Sequence, residues 1–363
     1  MKISRNQTFN NPTASAADQV RSPGSLPKNR VLVWLKRIGM VLVIGIVMIA
    51  ALGAAYQAIA TAIDIRSFPA PGQMVDVGGY RLHLYCTGAN INGSPTVVLE
   101  TGLGATSSGW AWVQPDVAKA TRVCAYDRAG TGWSDSSPNP RDAQHIANEL
   151  HTLLRNANVP GPYVLAGWSF GGLYNRSYAG QYPNEVAGIV LIDSSSPDQC
   201  TSTPGGQDQC ASNARIYSIA PALSRFGVMR VMGLFQPDTG LPAQQNEELR
   251  ASFSMTKDWD AQSAEFLAWP ATNTQVAQAK SLGAIPLFVL TATDHGTPPD
   301  LEQLWQGWQA GFTGLSTNSV QRVVPGASHS SLVFDEIDSK KTTEAILQVI
   351  EASRSGQPLA SIP

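Results

Sequence analysis

Ser169 sits in the run Gly167-Trp168-Ser169-Phe170-Gly171, and a hydroxyl framed by two such glycines is a candidate nucleophile. Before it, Tyr163-Val164-Leu165-Ala166 has strand character; after it, Leu173 to Tyr182 can wind as a helix. A turn that tight holds the serine in a strained backbone conformation, and side chains at 167 and 171 would collide with neighbouring backbone. The helix start offers free backbone N–H groups to a developing negative charge. A serine hydroxyl attacks well only when a base takes its proton, and the base expected is a histidine oriented by a carboxylate. Of the five histidines, His83 falls in an early hairpin, His145 and His151 on a surface helix, and His295 after the strand IPLFVL. His329, in VVPGASHSSL just after the last strand, lies in a loop of small residues that can approach Ser169, and it is the expected base. Two aspartates leave strand ends between the serine and the histidine in sequence. Asp294, after IPLFVLTAT, is the expected acid; Asp193, in LIDSSSP, is the alternative, or else a structural residue capping a turn.

The elements that must position these groups alternate. Met74 to Val77 and Arg81 to Cys86 read as a hairpin across Gly78-Gly79. TVVL (96–99), TRVCAY (121–126), VAGIVLI (186–192), IPLFVL (285–290) and Val323-Val324 read as strands. Ala143 to Leu154 and Asp338 to Ser353 place apolar residues at helical spacing. Strands alternating with helices predict an α/β fold with a mainly parallel sheet covered on both faces, with ligands at the carboxyl ends of its strands. Core segments are expected at 74–195 and 284–355, and a C-terminal tail at 356–363. No strand fits between 196 and 283, where helical patterns at Ile216 to Phe235, Asn246 to Met255 and Trp259 to Trp269 predict an inserted helical cap.

Charge is distributed unevenly. Residues 1–37 hold seven Lys/Arg and one Asp, residues 38–63 hold none, and the remainder carries a net −8. An acidic globular part argues against nucleic acid as a partner. The 1–37 segment reads as a disordered basic tail and 64–73 as a linker. The run Ile38 to Ile63, preceded by Lys36-Arg37, is long enough to cross a bilayer as a signal anchor, with the N-terminus cytoplasmic and the rest outside. A cleaved signal peptide, cut near Gly53-Ala54-Ala55, is the rival. Four cysteines suit such a compartment, and Cys200 and Cys210 flank a polar loop that a bridge could close. There is no CxxC and no H-E-x-x-H, so a protein-held metal has little support.

The order Ser169, Asp294, His329, with Tyr126-Asp127-Arg128-Ala129-Gly130-Thr131-Gly132-Trp133-Ser134 and Pro325-Gly326-Ala327-Ser328-His329, resembles the α/β-hydrolase superfamily, and more narrowly its capped serine hydrolases. The resemblance covers roughly Gly72 to Ala352. It implies a nucleophile elbow at Ser169 and an oxyanion hole made by the backbone N–H groups of Phe170 and Leu103, with Gly104 the alternative to Leu103. Many relatives carry His-Gly where this chain has Glu100-Thr101-Gly102-Leu103-Gly104. The family's strand order would also bring Cys86 beside Cys124, within reach of a disulfide. Asp127 and Arg128 are expected to fix their loop by hydrogen bonds. Trp168 is expected to line the pocket, and Trp110, Trp112, Trp259 and Trp269 are further candidates.

The expected activity is cofactor-free hydrolysis of a small, partly hydrophobic ester through an acyl-enzyme. An aminopeptidase or amidase is the near alternative, with Glu247, Glu248 and Glu265 as candidates for holding an amine. A non-catalytic, membrane-tethered binding module is the distant one. Nothing in the sequence sets the oligomeric state.

Overall fold

Apolar runs of five to seven residues form the centre of a single eight-stranded sheet. A computed structural model describes residues 28–233, 239–279 and 281–361. The first 27 residues of the expected basic tail, Phe235 and the last two residues of the expected C-terminal tail lie outside the described residues. Two units divide the chain, Met1–Ala50 and Ala51–Pro363. The strands are β1 (Gln73–Asp76), β2 (Arg81–Thr87), β3 (Thr96–Glu100), β4 (Val123–Tyr126), β5 (Tyr163–Trp168), β6 (Val186–Ile192), β7 (Leu287–Asp294) and β8 (Ser319–Ser328). Their order is β1-β2-β4-β3-β5-β6-β7-β8. β1 and β2 pair antiparallel, as do β2 and β4; every other pair is parallel.

β3 and β5 are buried at every residue, as expected of parallel strands covered on both faces. The period of two then splits their side chains between two cores. Val97, Leu99, Ala166 and Ile192 face one layer, which includes Ile346 and Val349; Val98, Leu165 and Leu191 face the other, with Leu150, Leu153 and Tyr178. Two helices on the second face are α3 (Ala143–Asn156), capped by the Asp142 carboxylate accepting from Gln144 N and His145 N, and α4 (Phe170–Gln181). On the first face lie the short α2 (Val113–Val117) and the closing helix α13 (Ser339–Ser355). Cys86 and Cys124 stand opposite one another across β2 and β4 and are joined by a disulfide.

The connection from β6 to β7 is helical: α5 (Gln199–Ser202), α6 (Gly206–Arg225), α7 (Val228–Met232), α8 (Ala243–Phe253), α9 (Thr256–Leu267) and α10 (Trp269–Gln278). The helix expected from Ile216 starts ten residues earlier, with Cys210 bonded to Cys200, and breaks before α7 at Gly227, whose φ is +73°. After β7 and β8 come α11 (Pro299–Phe312) and α12 (Ser331–Phe334).

The N-terminal helix α1 runs Lys28–Ser67, longer at both ends than the apolar run alone implies. Residues 28–37, expected in the tail, and 64–67, expected in the linker, are helical because no Gly or Pro interrupts them before Phe68-Pro69. By length and composition α1 can cross a membrane.

Candidate active site

Ser169 follows β5 and is the N-cap of α4, with φ +58° and ψ −123°, a conformation that costs a non-glycine residue free energy. Glycines make the turn feasible. A Cβ at Gly167 would stand 2.6 Å from the Gly171 backbone, and one at Gly171 2.5 Å from the Glu100 carbonyl oxygen. The Ser169 carbonyl accepts from Gly172 N and Ser195 N, which ties the elbow to the segment after β6. Phe170, the first residue of α4, has no helical carbonyl for its N–H.

The loop after β3 presses against this elbow. A Cβ at Gly102 would lie 3.0 Å from Ser169 Cβ. Arg128 Nη2 donates to Gly102 O (2.8 Å) and Nη1 to Thr101 O (2.8 Å). A trans peptide points its C=O and its next N–H in opposite directions, so the carbonyl of Gly102 aimed at Arg128 turns the Leu103 N–H away from Arg128. Arg128 is itself fully buried between Glu100 (2.6 Å) and Glu265 of α9 (2.9 Å). Burial raises the Glu100 carboxyl above its ordinary range, although the Arg128 charge opposes it. Arg128 thus bonds to the β3 loop and the inserted helices, while Asp127 accepts from His83 Nδ1 (2.9 Å), Ser107 N (2.7 Å) and Trp133 N (3.1 Å).

His329 follows β8, and Trp168 Nε1 donates to its carbonyl (2.8 Å). Its Nδ1 donates to Asp193 Oδ2 at 2.6 Å. Asp294, expected as the acid, does not make this contact: it is exposed, and its Oδ1 accepts from Gly296 N (3.2 Å). The physical reason is a break in the β7–β8 register between Ala292 and Asp294, which re-aims the end of β7. Asp193 instead turns in at φ +42° and is fully buried. Its Oδ1 accepts from Ala292 N (3.1 Å) and Trp305 Nε1 (2.8 Å).

A second histidine shares this carboxylate. His295 Nε2 donates to Asp193 Oδ2 (2.8 Å), and His295 Nδ1 lies 2.7 Å from Glu302 Oε2 on α11. Each ring nitrogen faces a carboxylate, which favours the charged form: burial opposes that charge, but the bonds to Asp193 and Glu302 outweigh it and raise the His295 pKa. Burial would likewise raise the Asp193 carboxyl, and the bonds from His295 and His329 overcome it, keeping the group well below the usual carboxylate range. His329, donating from Nδ1, keeps Nε2 available as a base. Among the described residues Ser169 Oγ and His329 share no direct hydrogen bond, although both line one cleft.

Asp193, His295 and His329 also place ligand-type atoms within 4.8 Å of one another. Their 2.6 and 2.8 Å separations are those of hydrogen bonds; around a zinc ion with bonds of about 2.0–2.2 Å, neighbouring tetrahedral ligands would stand farther apart.

The cleft holds about 870 Å³ and is lined by Leu103, Trp168, Ser169, Phe170, Trp269 and His329, with further residues from α6 and α11. Trp110 and Trp259 are instead packed in core clusters, and Trp112 donates to Gly240 O. Trp305 and Trp308, not singled out from sequence, face the cleft from α11; their spacing with Leu301 and Leu304 is the signal that could have found them. Among the described residues no Asp or Glu lines the cleft. Glu265 is bound to Arg128, Glu248 accepts from Ser108 Oγ (2.7 Å), and Glu247 pairs with Arg250 on the surface.

A family profile described as alpha/beta hydrolase fold matches residues 95–336. An uncharacterized protein of Schizosaccharomyces pombe is 27% identical over 300 residues, which is 74% of this chain and 54% of that protein. The chain therefore spans about half the length of that relative. Among solved structures, the epoxide hydrolase CorEH superposes with a TM-score of 0.61 at 17% identity, covering 77% of this chain and 98% of its own. A thermophilic esterase from Thermogutta terrifontis superposes with a TM-score of 0.59 at 19% identity, covering 78% and 98%. At these identities the superpositions speak to the fold.

Proposed function

Because this chain belongs to the α/β-hydrolase fold family, we propose that it is a serine hydrolase that cleaves a carboxylic ester through Ser169, His329 and Asp193. The observation that carries the reading is the strained Ser169 turn sharing a cleft with a histidine whose Nδ1 is held by a buried carboxylate. His329 Nε2 takes the Ser169 proton as Oγ adds to the ester carbonyl. The Phe170 and Leu103 N–H groups receive the oxyanion, each worth ~3 kcal/mol in the transition state. The ester C–O bond then breaks, and the leaving alkoxide takes the proton from His329. Water adds to the acyl-enzyme by the same path and releases the acid. Asp193 stays ionised throughout and holds the imidazole in the tautomer that the base needs.

The aromatic and leucine lining supports a partly hydrophobic acyl or alcohol group. The lack of a carboxylate in the cleft, among the described residues, favours an ester over a substrate recognised by its free amine. We further propose that α1 is an uncleaved membrane anchor with the catalytic unit outside the cytoplasm.

The test is labelling with a fluorophosphonate and turnover of p-nitrophenyl acyl esters. Ser169→Ala should abolish labelling and lower kcat on the order of a millionfold. Loss below tenfold would put the nucleophile elsewhere. Release of amino acids from anilides without ester turnover would move the reading to an aminopeptidase, and neither activity to a silent binding module.

A further inference from the structure

The C-terminal part of α1 is not a bare stalk. A Cβ at Gly53 would clash with the Phe226 carbonyl oxygen at the corner between α6 and α7, and a Cβ at Gly227 would lie 3.1 Å from the Tyr56 ring. Gln57 is only 5% exposed; its Nε2 donates to Ser254 O (2.7 Å), and its Oε1 accepts from Arg230 Nε (3.2 Å). Arg230 also pairs with Asp64 (2.7 Å), the first charged residue after the apolar run.

These contacts lie at a depth that the sequence sets. A hydrocarbon core takes about 20 helical residues, and Lys36-Arg37 are too costly to submerge at its centre. The uncharged run is Ile38 to Ile63, so every window of about 20 residues within it contains residues 44–57. Gly53, Tyr56 and Gln57 therefore fall at hydrocarbon depth, and so does the Phe226-Gly227 backbone packed on Gly53 and Tyr56. The same corner leaves large apolar side chains bare: Leu223, Phe226, Val231 at 73% exposure and Met232 at 61%. Clustered exposure of this kind marks an interaction surface. A buried glutamine inside a spanning segment also needs a polar partner, and here the inserted helices supply it.

We infer that the α6–α7 corner, with Phe226 at its tip, is immersed in the outer leaflet of the bilayer beside α1, so that the inserted helices are held at the membrane surface. This rests on the reading of α1 as a membrane span. The bilayer is the occupant because the patch is continuous with the spanning helix. The ion pair of Arg230 with Asp64 falls just beyond the apolar run, where a long cationic side chain reaches the water boundary.

The test uses the full chain reconstituted in phosphatidylcholine vesicles. All four native cysteines are bonded in disulfides, so Phe226→Cys, Val231→Cys or Met232→Cys adds a single free thiol. Ile337→Cys, at an equally bare site elsewhere, is the control. Each is labelled with an environment-sensitive fluorophore and quenched with lipids spin-labelled on the acyl chain. Strong quenching at 226, 231 and 232 but not at 337 is expected. Equal, water-like signals at all four sites, in chain that stays in the pellet after an alkaline wash, overturn the inference and leave the anchor intact. Release of the chain by that wash overturns both. A blue-shifted label that lipid does not quench assigns the patch to a second protein copy and also overturns it. Val231 and Met232 are largely exposed, so their truncation leaves folding intact if Phe226→Cys does not.

Discussion

Asp193 accepts four donors: two imidazoles, an indole and a backbone N–H. A carboxylate so fully hydrogen-bonded keeps its charge even when buried, which a group stabilising the His329 imidazolium needs. Asp193→Asn should lower kcat by roughly 10⁴ by favouring the wrong His329 tautomer, whereas Asp294→Asn should change it by less than about tenfold. Ester turnover of the two variants checks this directly, and the reverse ranking would restore Asp294 as the acid. His295 lies beyond the IPLFVL strand in sequence, and only the fold brings it to Asp193. No motif spacing signals that a histidine one residue beyond a strand end will turn back across the sheet.

Between elements, Arg128 is the chief tie. It joins the β3 loop, the β4 loop and α9 through two buried carboxylates. Arg128→Met leaves Glu100 and Glu265 buried without their counter-charge and should cost about 3–5 kcal/mol in chemical denaturation. The same variant should slow the acylation step, because the peptide before Leu103 loses the group that aims it. Asp258, at the start of α9, is a second tie: it accepts from Gly132 N (2.9 Å) and from Ser252 Oγ. Burial raises its pKa from 3.8 to about 7, against the pull of the Lys257 charge. The native state thus keeps a proton that the unfolded chain loses near pH 4. This group's contribution to stability is full below pH 4 and declines as pH rises toward 7, by a total on the order of 4 kcal/mol. Denaturation at pH 4 to 8 should show Asp258→Asn losing that decline relative to the parent. Identical pH profiles would mean that Asp258 titrates normally.

At the level of the whole chain, the last turns of α1 pack on the inserted helices through Gln57 and Asp64. The intact protein should stay with membranes through an alkaline wash, and fractionation followed by detection of the chain in the pellet measures this. Recovery of a shortened chain in the supernatant, starting near Ala55, would mean cleavage as a signal peptide.

Local sequence was sufficient for whatever depends on neighbours in the chain. The Gly-x-Ser-x-Gly turn, the apolar strands and the uncharged helix were legible because backbone sterics and hydrophobic periodicity act over a few residues. Strand boundaries slipped where pairing set the end: β7 runs four residues past IPLFVL, because β8 is there to bond it. The carboxylate that meets His329 could not be read in this way. Asp193 and Asp294 both follow apolar strands, and only a register break beside β8 turned one outward and left the other facing His329. Likewise, Gln57 reads as one polar residue in an apolar run until folding brings the Ser254 carbonyl to it. Side-chain partners far apart in sequence are chosen by the packing of whole elements, and that choice is made only in three dimensions.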